Sequence, residues 1–123
     1  MGKPVNSDVQ RVETTSISQK VNKEVLDAFK DRCKYLGYPL NMLLETFMQQ
    51  YADGRFDLDV EDVTQWKKND SELDTLSTTF NKKIYTDFKA ACKGNGCFVK
   101  HTLTAFMWKF VNENYVLEYV KAD

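Results

Sequence analysis

The residues best suited to metal chemistry lie close together in the stretch "CKGNGCFVKH", which holds Cys92, Cys97 and His101. Thiolate and imidazole groups bind zinc, but a structural zinc site takes four ligands, commonly at paired spacings such as C-x2-C. The spacing here is irregular and a fourth ligand is missing. Cys92 is matched by Cys33 on an earlier helical stripe, so we interpret it as a core residue. We predict no metal and no cofactor.

The sequence contains no recognisable set of catalytic residues. It has no Gly-rich loop of the kind that cradles a phosphate, and its single His lacks a plausible nucleophile to act on. We therefore predict that the protein is not an enzyme.

Polar side chains recur at alternate positions in "SISQKV" (16–21) and "TLSTTF" (75–80). A period of two with β-branched residues predicts two short strands, each with one apolar and one polar side. Because a lone strand leaves its backbone groups unpaired, we expect the two strands to pair with each other. The polar side, which either contacts a partner or is solvated, consists of Ser16, Ser18, Lys20, Thr75, Ser77 and Thr79.

The chain also repeats itself at a shift of 59 residues, without a gap. Between residues 18 and 48 the repeat gives 11 identities, and conservative pairs such as Val25 with Ile84 lie between them. The identical pairs are Ser18/Ser77, Asn22/Asn81, Lys23/Lys82, Phe29/Phe88, Lys30/Lys89, Cys33/Cys92, Lys34/Lys93, Gly37/Gly96, Leu44/Leu103, Phe47/Phe106 and Met48/Met107. This pattern indicates an internal duplication, and two copies are too few for a solenoid. We expect a structure with approximate two-fold symmetry in which each half buries its apolar face against the other half.

Each copy continues from its strand into two helices. Asn22 and Asn81 are suited to cap the first helix, and Gly37 and Gly96 are suited to end it in a left-handed conformation. Apolar residues at helical spacing predict the buried faces. They are Val25, Phe29, Cys33 and Leu36, then Leu40, Leu43, Leu44, Phe47, Met48 and Tyr51 in the first copy, and Ile84, Phe88 and Cys92, then Val99, Leu103, Phe106, Met107, Phe110 and Val111 in the second.

The predicted fold is mainly α-helical, with a short two-stranded antiparallel ribbon and two tandem strand–helix–helix repeats forming an intramolecular pseudo-dimer. We divide the chain into a flexible N-terminal arm (1–14), a first repeat (15–54), a connector (55–73), a second repeat (74–115) and a C-terminal tail (116–123). The connector is expected to contain a short helix around Val60–Lys68. All segments together are expected to form one cooperative domain.

Charge is distributed unevenly, although the formal net charge is only −1. The first repeat is neutral, the connector has a net charge of −3, and the second repeat has a net charge of +3.

An apolar run long enough to span a membrane is missing, and the opening residues lack the apolar core of a signal peptide. The 3 cysteines are an odd number that suggests free thiols. We expect a cytoplasmic protein that does not associate with membranes.

The stretches "SISQKVNKEVLDAFKDRCKYLGYPLNMLLETF" and "TLSTTFNKKIYTDFKAACKGNGCFVKHTLTAF" resemble the ribbon-helix-helix proteins of the Arc/MetJ repressor superfamily. The resemblance implies a ribbon that enters the major groove of double-stranded DNA, with Ser16, Ser18, Lys20, Thr75, Ser77 and Thr79 contacting bases. It also implies that the second helix of each copy holds a backbone phosphate at its start, at Leu40, Asn41, Val99 and Lys100. His101 lies near the same helix start as Lys100, and the two residues either contact phosphate as part of this group or form a solvated pair.

The implied function is a transcriptional repressor, or an accessory factor on plasmid, phage or conjugative DNA. The alternative is a protein-interaction module, antitoxin-like or a scaffold, that keeps the fold and binds DNA weakly. The acidic connector favours this alternative, as do Trp66 and Trp108, which have no counterparts in the repeat. Self-association of whole chains on DNA and the identity of a protein partner stay open at this stage.

Overall fold

The computed structural model describes residues 13–56, 58–68 and 72–112. The proposed tail (116–123), and the proposed arm (1–14) apart from its last two residues, lie outside the described residues. Within these residues, two strands and five α-helices follow one another. They are β1 (Thr14–Asn22), α1 (Lys23–Leu36), α2 (Leu40–Ala52), α3 (Val60–Thr64) with a 3-10 turn (Gln65–Lys68), β2 (Leu73–Asn81), α4 (Lys82–Gly94) and α5 (Val99–Asn112).

The two strands pair with each other as an antiparallel sheet, as the alternation predicts. In the register, Ser16 lies opposite Thr79, Ser18 opposite Ser77, and Lys20 opposite Thr75. The side facing the helices is mainly apolar and includes the buried residues Val21, Leu76 and Phe80. Because side chains alternate along a strand, this register turns the polar side of both strands away from the core.

The first helix of each copy begins at the predicted asparagine. The Asn22 side chain accepts a hydrogen bond from the Val25 amide at 2.9 Å, and the Asn81 side chain accepts one from the Ile84 amide at 3.0 Å. Each cap therefore satisfies one of the amide groups that a helix start leaves without an acceptor. The prediction of two Asn caps is confirmed.

The backbone also ties each helix start to the opposite strand. The Lys23 amide donates to the Glu72 carbonyl, and the Lys82 amide donates to the Glu13 carbonyl, both at 2.9 Å. Glu72 precedes β2, which pairs with the strand that leads into α1. Glu13 precedes β1, which pairs with the strand that leads into α4. The ends of the sheet and the starts of α1 and α4 therefore form a continuous hydrogen-bonded unit.

Glycine ends these helices in the expected left-handed conformation. Gly37 follows α1 directly at φ 79°, whereas α4 ends one residue earlier and Asn95 precedes Gly96 at φ 72°. Beyond each glycine the next amide donates back into the helix, from Tyr38 to Cys33 and from Cys97 to Cys92. This 6→1 hydrogen bond is the mark of a Schellman ending, which requires the positive φ that glycine tolerates.

The helices pack below the sheet, and each main helix–helix contact joins the first helix of one copy to the second helix of the other. Helix α2 packs mainly on α4, and α1 packs mainly on α5, so each helix pair joins one element from either end of the chain. At the centre the rings of Phe47 and Phe106 stack with centroids 4.2 Å apart and planes 10° apart. Both rings are fully buried, and the core therefore depends on contacts between distant parts of the chain.

The connector closes one side of this core. Phe56 is buried with its ring edge-on to Phe47 at 4.9 Å and to Phe106 at 5.5 Å. The expected helix is present as α3 followed by the 3-10 turn. Trp66 from this turn contacts Trp108 of α5 with centroids 5.8 Å apart, so the two unmatched tryptophans pack on each other.

The predicted buried stripes are confirmed except at their ends. Leu36 is 37% exposed, which corrects the expectation that it belongs to the buried face of α1. It is the last residue of its helix, and a side chain in a final turn has helical neighbours on one side only. Leu40, Ile84, Val99 and Val111 are half-buried at the rim of the core for the same positional reason.

Candidate nucleic-acid interface

The outer face of the sheet, defined here as Ser16, Ser18, Lys20, Thr75, Ser77 and Thr79, is a row of three cross-strand pairs. Five of these side chains are exposed, and Thr75 is half-buried. The hydroxyls of Ser16 and Thr79 lie 3.2 Å apart and share a hydrogen bond across the strands. The face is polar and narrow, and its hydroxyls both donate and accept hydrogen bonds.

The two ends of the outer face lie beside different charged residues. At one end Lys20 contributes to a pocket of about 130 Å³, which β1, the connector and the first turns of α5 enclose. Lys100 and His101 line the same pocket. The structure therefore brings together three of the residues that the sequence nominates, two from a helix start and one from a strand.

At the other end, beyond Thr79, the adjacent helix is α2. Its Glu45 carboxylate accepts a hydrogen bond from the Asn81 backbone amide at 2.6 Å. The residue that corresponds to Glu45 in the repeat is Thr104, whose hydroxyl bonds to its own helix at Lys100 O. A carboxylate of α2 is therefore held near one end of the outer face, and the corresponding residue of α5, at the other end, has a neutral hydroxyl.

The starts of α2 and α5 carry the remaining predicted residues. Helix α2 begins at Leu40 after Pro39, which makes no side-chain capping hydrogen bond, and α5 begins at Val99. The first bond of each helix runs from Leu43 to Pro39 O and from Thr102 to Phe98 O. Helix geometry thus supplies no acceptor for the amides of the first turn, which point outward as anion-binding groups do. The side chains of Asn41 and Lys100 are exposed beside these amides.

Two contributors to this region are not apparent from the sequence patterns. Phe98 is 62% exposed at the start of α5 and lines a shallow groove with Gln19, Val99 and Lys100. Glu45 lies inside an otherwise regular helical segment. The only sequence signal for either is a mismatch in the repeat, since Phe98 corresponds to Pro39 and Glu45 corresponds to Thr104.

The cysteines belong to the core and its edge. Cys33 and Cys92 are buried, and burial raises the pKa of both thiols from 9.0 to about 11. A thiol with so high a pKa is a poor ligand and a poor nucleophile at neutral pH. In the described ranges, no three His, Cys, Asp or Glu side chains come close enough to hold a metal ion.

The chain matches no protein-family model, no curated protein and no solved structure. Within the part of the chain that the structure describes, every helix is too short or too polar to cross a membrane. Any function assigned to the chain therefore depends on its own residues and their geometry.

Proposed function

We propose that this chain is a single-chain ribbon-helix-helix protein that binds double-stranded DNA by placing the outer face of its sheet in the major groove. The observation that carries the proposal is the antiparallel strand pair whose three cross-strand pairs of polar side chains face away from the core. A two-stranded β-ribbon fits the width of the major groove, and hydroxyls can bond base edges there.

The register of the sheet supports the idea that two halves of one chain replace the two subunits of a dimer. Residues of the first half are moved forward by 59 positions, and residues of the second half are moved back by 59. This operation carries the Ser16–Thr79 pair onto the Thr75–Lys20 pair. The same operation carries the Ser18–Ser77 pair onto itself. A true two-fold dimer obeys this rule, since contact i–j in one direction implies contact j–i in the other.

Aromatic contacts in the core follow the same rule. Phe29 lies edge-on to Phe106 with centroids 5.8 Å apart, and the shifted pair, Phe88 and Phe47, has centroids 5.6 Å apart. Phe47 and Phe106 exchange places under the shift, and these two rings form the central stack. The proposed pseudo-two-fold axis would pass between Ser18 and Ser77 and through this stack.

In this proposal the six outer-face residues read bases, and the starts of α2 and α5 hold phosphates on either side. Such a protein would serve as a repressor or as an accessory factor on plasmid, phage or conjugative DNA. Because the halves are fused, they need not be identical, and Lys20 takes the position that Thr79 has in the other half. The expected target is an imperfect palindrome and not two identical half-sites.

Fluorescence anisotropy with labelled duplex DNA at several salt concentrations tests the proposal. The duplexes should include the DNA flanking the gene and a mixed-sequence control. We expect log K to fall linearly with log salt, with a slope of about −0.9 for each phosphate contact. Lys20→Ala should weaken binding to the preferred site, whereas Lys30→Ala, which removes an exposed charge on α1, should not. Lack of binding to any duplex at low salt would refute the function.

A second function, docking of a protein partner, is favoured by exposed aromatic side chains away from the outer face. Tyr35 is 82% exposed, and Trp108 is 44% exposed. Aromatic residues of this kind are enriched at protein interfaces. The absence of DNA binding at low salt, combined with loss of partner binding on Trp108→Ala, would favour this function over the first.

A further inference from the structure

The turn between α4 and α5 brings two cysteines together. Cys92 is buried in the last turn of α4, and Cys97 is half-buried just beyond Gly96. The Cys97 amide donates to the Cys92 carbonyl at 2.9 Å, which is the 6→1 bond of the Schellman ending. With standard bond lengths, this bond holds the two Cα atoms within about 6.8 Å, no further apart than the Cα atoms of ordinary disulfides. A bridge between the two residues therefore does not require the chain to be drawn together.

Several observations place the two side chains close to each other at this turn. Residues joined by the 6→1 bond of a Schellman ending commonly pack on each other, and in the first copy Tyr38 packs on the core cluster that includes Cys33. The Cys97 Sγ lies 3.6 Å from the Asn95 carbonyl oxygen, within the turn itself. Burial is the main cause that raises the pKa of Cys92 to about 11, and the nearby Cys97 thiol contributes in the same direction.

The repeat makes this pair of thiols specific to the second copy. The turn after α1 has the same hydrogen bond, but it places Tyr38 and not a cysteine opposite Cys33. Of the 3 cysteines, Cys33 and Cys92 are buried, and Cys97 alone is partly exposed. A reagent in solution therefore reaches Cys97 first, and the thiol that adjoins it across the turn is Cys92.

We propose that Cys92 and Cys97 form a modification site at which a low-molecular-weight disulfide converts the two thiols into an intramolecular disulfide. The Cys97 thiolate attacks one sulfur of the small disulfide, which gives a mixed disulfide and releases one small thiol. The Cys92 thiolate then attacks the Cys97 sulfur, so that the Cys92–Cys97 bond forms and the second small thiol leaves. The two cysteines are oxidised, the small disulfide is reduced to two thiols, and these thiols take up both protons.

The surroundings of the pair determine how the modification proceeds and what it affects. Because the pKa of Cys92 is about 11, its thiolate is scarce at neutral pH, and the second step is the slower one. That step takes place within the turn, so Cys92 does not have to be exposed to solvent. The same turn holds Asn95, whose side chain donates to the Tyr51 hydroxyl of α2 at 2.7 Å. The disulfide would therefore fix a turn that contacts the other copy.

Mass spectrometry of the full chain after equilibration with a mixture of reduced and oxidised glutathione tests the site. The reaction is quenched, and the remaining thiols are alkylated under denaturing conditions. We expect the chain to lose two hydrogens and to be alkylated once, at Cys33, and we expect peptide mapping to join Cys92 to Cys97. A chain that stops at a glutathione adduct on Cys97, or in which all the cysteines are alkylated, overturns the proposal.

Two variants check which thiols take part. Cys33→Ala keeps the pair and should form the disulfide to the same extent as the unchanged chain. Cys97→Ser removes the partly exposed thiol and should leave Cys33 and Cys92 reduced in the folded chain, since both are buried. A disulfide that forms in Cys97→Ser, or one that is lost in Cys33→Ala, would show that a different pair reacts.

Comparison with the unfolded chain separates a site built by the fold from two cysteines that are merely near in sequence. The same equilibration is repeated in concentrated urea. The equilibrium constant for the disulfide should be about tenfold larger in the folded chain, because the turn already holds the two residues together. The oxidised chain should accordingly have a higher urea midpoint than the reduced chain. Equal equilibrium constants, or a lower midpoint for the oxidised chain, would contradict a site formed by this turn.

Discussion

Replacement of the central stacked rings by leucine tests how strongly the two ends of the chain depend on each other. Phe47 and Phe106 are fully buried, and their rings are nearly parallel with centroids 4.2 Å apart. Aromatic pairs contribute about 0.5–1.5 kcal/mol beyond the burial of their area. We expect Phe47→Leu and Phe106→Leu each to lower the free energy of unfolding by about 1–2 kcal/mol, since each loses the stack and leaves a small cavity.

The double variant should be less destabilised than the sum of the single variants, because the stack can be lost only once. The expected coupling is about 0.5–1.5 kcal/mol in a double-mutant cycle. Leucine is preferred to alanine here, since truncation of one Phe to Ala costs about 3–5 kcal/mol. That loss is a large share of the total stability of about 5–15 kcal/mol of a typical domain.

Urea unfolding followed by far-ultraviolet circular dichroism measures these free energies. A control cycle combines Phe106→Leu with Tyr85→Leu, because the Tyr85 ring stacks on Phe80 at 5.9 Å and not on either ring of the central pair. That cycle should be additive within about 0.5 kcal/mol. Additive losses at Phe47 and Phe106, or two separate unfolding transitions, would refute the view that this stack joins the two halves into one cooperative core.

The remaining predictions concern stability and charge. Gly37→Ala should lower the free energy of unfolding by about 1 kcal/mol because φ is 79° at this position. The control Gly94→Ala lies at the end of a helix without positive φ and should be neutral or stabilising. Equal urea midpoints for the two variants would contradict this prediction. Burial raises the pKa of Cys33 and Cys92 from 9.0 to about 11, so the unfolded chain loses these protons first. These thiols should therefore leave the free energy of unfolding unchanged below pH 9 and lower it as the pH rises towards 11. In urea titrations, Cys33→Ala and Cys92→Ala should each make this decline smaller. Glu45→Gln keeps an oxygen acceptor for the strand amide but removes the charge, and it should raise affinity for duplex DNA about twofold to fivefold at low salt in anisotropy titrations. An unchanged affinity would mean that this carboxylate does not face the nucleic acid.

Patterns of neighbouring residues predicted the local elements well. The alternation around Ser18 and Ser77 predicted both strands, and Asn22 and Asn81 predicted both helix starts. These features depend on residues within a few positions of each other, because a cap bonds three residues ahead and a strand alternates with period two. Local sequence is therefore sufficient to identify them.

The candidate site was predicted only in part. The outer-face residues were identified because they share one side of a strand, and their exposure follows from that side facing away from the helices. The pocket around Lys20 and Lys100 was not predicted, since the two residues are far apart in sequence and meet only through packing. The contact of Trp66 with Trp108 also depends on where the connector crosses α5.

By itself the sequence determined that this chain has two similar halves, each with a strand, two helices, an Asn start and a Gly ending. The tertiary structure alone decided that the strands pair with Ser18 opposite Ser77, that α1 packs on α5, and that Lys20 meets Lys100 and His101 at one end of the sheet while Glu45 lies at the other. The physical reason is the separation along the chain of the residues that determine each feature. Hydrogen-bonding and periodicity within a segment are encoded by adjacent residues, whereas strand register and the meeting of charges depend on which distant surfaces exclude water together.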